Sequence, residues 1–195
     1  MQNLKHSALN KIVLIGASTG GPGHIEKIIK TLPTLRDTAI VIAQHMAVGF
    51  MPSFTKRLQK DSANSVILAD DNVYFKEGNI YFCHGISTIK STADGFVFSV
   101  EFSREYKYNP DINTIFNSFD IFTKKCNILA VILTGIGDDG VDACRRLSTL
   151  GVKTITQDEK SAIVDGMPSR ARKDIPSIEV LNNEQIEKKI REFCS

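Results

Sequence analysis

Apolar residues in this chain fall into two kinds of run, and their alternation predicts the fold. Ile12-Val-Leu-Ile15, Thr38-Ala-Ile-Val-Ile-Ala-Gln44 and Asn127-Ile-Leu-Ala-Val-Ile-Leu-Thr134 are nearly uninterrupted. Continuous runs of this kind suit strands buried on both faces of a parallel sheet. After each, apolar residues recur at helical spacing instead: Ile25, Ile28 and Ile29, then Phe50, Phe54 and Leu58, then Val141, Cys144 and Leu147. Ser65–Leu68, Ile80–Cys83, Val152–Thr156 and Ile178–Leu181 read as shorter strands. Asn109-Pro-Asp111 starts a helix carrying Ile112, Ile115, Phe116 and Phe119. Gly166-Met-Pro168 opens another, running to about Arg172, and Asn182 or Asn183 caps a terminal one.

The middle of the chain breaks this rhythm. Ser87–Lys90 and Phe96–Glu101 flank Ala93-Asp-Gly95, and Asp-Gly is a strong hairpin turn. The expected class is α/β: a doubly wound, mostly parallel sheet with an antiparallel hairpin grafted onto it and helices on both faces. Right-handed crossovers bring the carboxyl ends of such strands to one rim, where open sheets build their sites. Residues 11–195 read as a single domain and residues 1–10 as a disordered or extended start.

Composition narrows the function classes. The chain has 195 residues and a formal net charge of +2, which gives no field that would recruit nucleic acid or a membrane surface. No apolar run approaches the roughly 20 residues of a spanning helix, and the first ten residues lack a signal-peptide core. The expectation is a cytoplasmic monomer without membrane insertion. Cys83, Cys126, Cys144 and Cys194 are scattered, without metal-ligand or redox spacing, and read as reduced structural thiols. No metal and no cofactor are expected.

Candidate chemistry collects on the predicted rim. Gly16-Ala-Ser-Thr-Gly-Gly21 follows the first strand and presents Ser18 beside a helix N-terminus, with Pro22 in the helix's first turn. His45 ends the second strand, and Asp138 and Asp139 follow the long third run. A hydroxyl, an imidazole and a carboxylate on one edge are the parts of nucleophilic catalysis, with His45 Nε2 expected within hydrogen-bond reach of Ser18 Oγ. The competing reading is a nucleotide site, since Gly16-x-Ser18-x-x-Gly21 approximates the dinucleotide fingerprint. Two features count against it: a serine replaces the glycine that lets a pyrophosphate approach, and Gln44-His45 stand where a ribose-binding acid is wanted. His24 reads as an exposed helix residue, and His84 as lying near the cleft.

Gly16-Ala-Ser-Thr-Gly-Gly21, Gln44-His45-Met46 with Gly49-Phe50 and Ser53-Phe54, Leu133-Thr-Gly-Ile-Gly-Asp-Asp-Gly140, and Gln157-Asp-Glu-x-Ser161 with Gly166-Met-Pro168 together resemble the catalytic domain of the chemotaxis-receptor methylesterase (CheB) family. The likeness runs in order from about Lys11 to Phe193. It implies hydrolysis of glutamate methyl esters on the cytoplasmic helices of methyl-accepting chemoreceptors, with deamidation of receptor glutamines. It implies Ser18 as nucleophile, His45 as base and Asp139, the aspartate directly before Gly140, as the acid, with Asp138 a solvated neighbour. The amides of Thr19 and Ile136 would form the oxyanion hole, Ile136 standing where the family has Met. Gly20 and Gly21 would let backbone approach a substrate carbonyl. Gln157 takes a rim role in substrate contact or loop positioning, and Met46 and Met167 lie near the cleft as packing residues. Two features depart from the family: the phospho-receiver domain that most members carry is not expected here, and Tyr81-Phe-Cys-His-Gly-Ile86 replaces a segment richer in Ala and Pro. A catalytically silent binding module of the same fold is the alternative to the esterase.

Overall fold

The structure, a computed structural model, describes residues 9–102 and 108–195. Residues 1–8, most of the expected disordered start, lie outside the described residues. The chain runs through β1 (Lys11–Ala17), α1 (Gly21–Thr31), β2 (Thr38–Gln44), α2 (Met51–Asp61), β3 (Ser65–Leu68), β4 (Asn79–Cys83), β5 (Ile86–Thr92) and β6 (Gly95–Glu101). It continues through α3 (Ile112–Ser118), β7 (Asn127–Ile132), α4 (Val141–Thr149), β8 (Lys153–Gln157), α5 (Met167–Asp174), β9 (Glu179–Leu181) and α6 (Asn183–Cys194).

Seven strands form one sheet in the order β3-β4-β2-β1-β7-β8-β9, with every pairing parallel. The continuous apolar runs are its centre, as the doubly wound expectation requires. Along β1, Ile12 and Leu14 join one core, with Phe116, Ala143 and Leu147, while Val13, Ile15 and Ala17 join another, with Ile25, Ile29 and Ile190. Successive side chains of a strand point to opposite faces, so both faces had to be apolar. Each fully buried aliphatic or aromatic side chain is worth about 1.5–3 kcal/mol against exposure. Helices α1, α2 and α6 thus cover one face, and α3, α4 and α5 the other.

The hairpin of β5 and β6 is antiparallel but forms a separate two-stranded sheet, not an addition to the edge of the main one. It is carried on the α3 face, where Ile89 and Phe98 pack with Phe75, Phe119 and Phe122. The predicted helix beginning at Phe50 instead starts with a 3-10 turn over Val48–Phe50 before α2. The long third strand ends at Ile132, two residues before its apolar run does: Leu133 N still donates to Gly16 O, but the Ser18 amide leaves the ladder for Thr134 O. The terminal helix is capped by Asn182, whose side chain accepts from Gln185 N while the Gln185 side chain accepts from Asn182 N. Among the described residues no helix is long and apolar enough to cross a membrane.

His24 departs from the sequence reading. It is 8% exposed, because the α-helical repeat puts it one turn before Ile28 on the sheet-facing side of α1. Burial, with Lys27 nearby, lowers its pKa.

Candidate active site

The strand order β2-β1-β7 brings three loops together. β1 and β2 are in register from Lys11 with Thr38 to Ala17 with Gln44, so Ser18 and His45 leave adjacent strands at the same level. The His45 amide donates to Ala17 O at 2.9 Å, and the Ser18 amide to Thr134 O at 2.9 Å. Asp139 leaves the strand on the far side of β1, on the loop between β7 and α4.

His45 Nδ1 lies 3.2 Å from Ser18 Oγ, and His45 Nε2 lies 2.7 Å from Asp139 Oδ2. The carboxylate can only accept, so Nε2 carries the proton and the Nδ1 lone pair faces the serine hydroxyl. Sequence reasoning expected Nε2 to face the serine; the structure interchanges the two nitrogens. The reason is the strand order. Neighbouring parallel strands are about 4.8 Å apart, so the nitrogen nearer the backbone meets the serine one strand away. The distal nitrogen reaches the aspartate from the next strand over.

Asp139 is fully enclosed, and its side chain is held by more than the imidazole. Its Oδ2 also accepts from Ile112 N at 2.8 Å and its Oδ1 from Asn113 N at 3.0 Å. These are the first two amides of α3, which have no partners within the helix. Asp138 is exposed.

The serine turn is shaped by close packing. Gly20 adopts φ +85°, which favours glycine, and precedes α1. A Cβ on Gly20 would meet Ile163 at 2.8 Å, and one on Gly21 would press on Gln44 and on Ala17 Cβ at 2.7 Å. These glycines are therefore packed against side chains of the protein itself, unlike the open glycines of a pyrophosphate cradle. Gln44, buried, donates from Nε2 to Ser18 O at 2.8 Å and to His45 O at 2.9 Å. One amide group thus ties the backbone of the serine to that of the histidine.

Thr19 and Ile136 stand exposed on either side of Ser18, and neither backbone amide finds an acceptor among the described residues. The loop bearing Ile136 is fastened from beneath. Gly135 O accepts from Gly166 N at 3.1 Å and from Met167 N at 2.8 Å, and Gly135 N donates to Val164 O at 3.0 Å. Thr134 Oγ1 bonds Thr19 O at 2.9 Å and receives Val164 N at 2.8 Å. Gln157, expected on the rim, is fully buried: its Oε1 accepts from Thr134 N and its Nε2 donates to Asn183 Oδ1. It joins the Thr134 and Asn183 segments and has no exposed surface to offer a substrate. Met167 is fully buried beneath Gly135, whereas Met46 is half-buried and lines a cavity of about 380 Å³ with Pro22, Phe50, Ser53, Phe54 and Arg57. His84 is buried, donating from Nε2 to Asp70 Oδ1 at 2.7 Å, one strand further from Ser18 than His45 is.

Two contributors escaped the sequence reading. Tyr108 stacks on the His45 ring, with centroids 4.7 Å apart and planes 8° from parallel. Arg172 bonds both oxygens of Asp165 at 2.9 and 2.6 Å and Gln157 O at 2.8 Å, bracing the segment that fastens Gly135. Neither carries a pattern at sequence level, since each acts through contacts made only on folding.

Comparison with known proteins gives a consistent picture. A family model described as CheB methylesterase matches residues 13–190. A protein-glutamate methylesterase/protein-glutamine glutaminase 2 of Carboxydothermus hydrogenoformans is 35% identical over 192 residues, covering 96% of this chain and 54% of that protein. A protein-glutamate methylesterase/protein-glutamine glutaminase 1 of Saccharophagus degradans is 34% identical, covering 91% of this chain and 49% of its own. The chain therefore spans about half the length of the curated relatives it matches. The crystal structure of the Thermotoga maritima CheB methylesterase catalytic domain superposes with a TM-score of 0.85 at 31% identity, over 94% of this chain and 98% of that one.

Proposed function

The chain belongs to the CheB methylesterase family, and on that premise we propose that it hydrolyses glutamate γ-methyl esters on the cytoplasmic helices of chemoreceptors. The observation that carries the proposal is the continuous hydrogen-bonded path from Ser18 Oγ through His45 to Asp139, at 3.2 and 2.7 Å. In this reading Ser18 is the nucleophile, His45 the general base and acid, and Asp139 the group that fixes and balances the imidazole.

The chemistry proceeds in two halves. Nδ1 of His45 takes the Ser18 proton as Oγ attacks the ester carbonyl. The carbonyl oxygen gathers negative charge between the amides of Thr19 and Ile136, each such donor being worth about 3–4 kcal/mol in the transition state. Collapse of the tetrahedral species breaks the bond to the methoxy oxygen, which leaves as methanol with the proton from Nδ1. Water then enters, gives its proton to the same nitrogen, attacks the acyl-serine and releases glutamate with Ser18 restored. Asp139 accepts from Nε2 throughout and faces the transient imidazolium with a full negative charge. A glutamine side chain would follow the same course with ammonia leaving. The names of the relatives, which join methylesterase and glutaminase, support that second substrate.

The test is methanol release from methylated chemoreceptor membranes by the wild-type chain and by Ser18→Ala. Release by the first and none above background by the second is expected. Equal release by both would remove Ser18 from the reaction.

A further inference from the structure

Tyr108 is drawn toward the reacting groups by the segment that also grips Asp139. Tyr108, Asn109, Pro110 and Asp111 lead directly into α3, whose first amides, Ile112 N and Asn113 N, hold the Asp139 carboxylate. Asp111 caps that helix, accepting from Thr114 N at 2.7 Å. Six consecutive residues thus carry both the ring on the face of His45 and the amides on Asp139.

Hydrogen bonds at Nδ1 and Nε2 fix the two edges of the imidazole but leave one motion soft. The ring can still tip out of the plane that contains its two hydrogen bonds, with Nδ1 and Nε2 staying close to Ser18 Oγ and Asp139 Oδ2. Such a tip points the in-plane lone pair of Nδ1 off the serine proton at little cost in heavy-atom distance. A ring stacked 8° from parallel at 4.7 Å opposes it directly, because tilting drives one edge of the imidazole into the phenol. The phenol face also offers negative quadrupole potential to a cation, so the contact is stronger for imidazolium than for imidazole. The hydroxyl end of the same ring lies over Gly137, 2.7 Å from where a Cβ would stand. Gly137 holds φ +87° and follows Ile136, whose amide is one of the two assigned to the oxyanion in the proposed reaction. Any side chain at position 137 would displace the tyrosine.

We propose that Tyr108 is a positioning residue for the reaction, keeping His45 flat between Ser18 and Asp139 and favouring the charged ring formed as Ser18 attacks. This rests on the esterase reading of the site, and the experiment keeps the two separable. Tyr108→Leu and Tyr108→Phe are compared with wild type by methanol release from methylated receptor membranes. The rate at which a fluorophosphonate labels Ser18 is measured in parallel; it reports nucleophile activation without the natural substrate.

Tyr108→Leu should lose roughly 3- to 30-fold in kcat and in labelling rate, the range of a cation–π contact expressed as a rate. KM should move less than about twofold, because the ring stacks on the base and not on bound substrate. Tyr108→Phe should recover most of the loss, since it keeps the aromatic face. Thermal midpoints of both variants establish that folded protein is compared, and Tyr108→Gln serves in place of Leu should that variant melt. Unchanged kcat and labelling in the Leu or Gln variant would overturn the proposal, as would a loss expressed in KM alone or one that Phe does not repair. If wild type labels at Ser18 yet releases no methanol, the substrate reading fails while the labelling series still decides the role of Tyr108.

Discussion

Asp139→Asn is the substitution whose outcome the site geometry constrains most tightly. The carboxylate receives three donors: His45 Nε2 at 2.7 Å and Ile112 N at 2.8 Å on one oxygen, and Asn113 N at 3.0 Å on the other. An amide has one oxygen, and the orientation that satisfies two of the three donors puts it toward His45 and Ile112. The NH₂ then faces Asn113 N, leaving two buried donors opposed and unpaired, each costing about 1–3 kcal/mol of stability. In that orientation His45 keeps its proton on Nε2, so Nδ1 stays a base. What is lost is the negative charge beside the imidazolium. The difference between a charge-assisted and a neutral hydrogen bond, about 1–2 kcal/mol, gives a lower bound of about tenfold in kcat. A full ion pair at an effective dielectric constant of about 20 is worth about 4 kcal/mol, giving an upper bound of about 10³. The opposite orientation would move the proton to Nδ1, silence the base and cost about 10⁴, as wrong-tautomer variants of serine hydrolases do. The assay is kcat for methanol release, with a denaturant melt on the same protein. A loss between about 10 and 10³ is expected. A loss under about threefold would refute the charge role of Asp139. One of about 10⁴ in a folded protein would refute the orientation with the amide oxygen toward His45 and Ile112, and put it toward Asn113 instead.

Other consequences can be checked independently. Gly135→Ala places a methyl group 2.6 Å from Ser18 Cβ and against Met167 Sδ. It should cost about 1–3 kcal/mol in a denaturant melt, and kcat should fall about 10²-fold as Ser18 is pushed from its position. Wild-type values for both would contradict the packing described beneath the serine. Burial pushes the Cys83 and Cys194 thiols up to about 12, from 9.0 when exposed. Both thiols stay protonated in the native state while the unfolded chain ionises, so stability is fully present below about pH 9 and is lost as pH rises toward 12. Melts at pH 8, 9.5 and 10.5 should show a decline that Cys83→Ala reduces relative to its own value at pH 8; parallel profiles for the two proteins would contradict it.

Much of the architecture was legible because burial on both faces leaves a strong trace. Thr38–Gln44 and Ser65–Leu68 have the bounds their apolar runs predict, and the seven-stranded parallel sheet follows from runs alternating with helical stripes. The separate hairpin sheet was not legible, since Asp-Gly specifies a turn but not which surface the two strands cover. At the site, Ser18, His45 and the pair Asp138-Asp139 could be placed on one rim from strand ends alone, while Asp139 was singled out only by the family resemblance. Which ring nitrogen meets which partner could not, because it depends on strand order: β1 lies between β2 and β7. Gln157 shows a different blind spot. A polar residue after a strand reads as solvated, yet it lies buried because Thr134 N and Asn183 Oδ1 meet both ends of its amide. Tyr108 and the α3 amides on Asp139 come from 26 or more residues away along the chain, where no local pattern reports them.

The proposed reaction requires Ser18 to be a nucleophile that His45 activates. Its most direct test is the fluorophosphonate adduct, located by peptide mass spectrometry, with labelling rates for wild type and His45→Ala. The geometry predicts one adduct, on Ser18, forming at least about 10²-fold more slowly when the base is removed. An adduct elsewhere, or labelling of Ser18 at the same rate without His45, would contradict it.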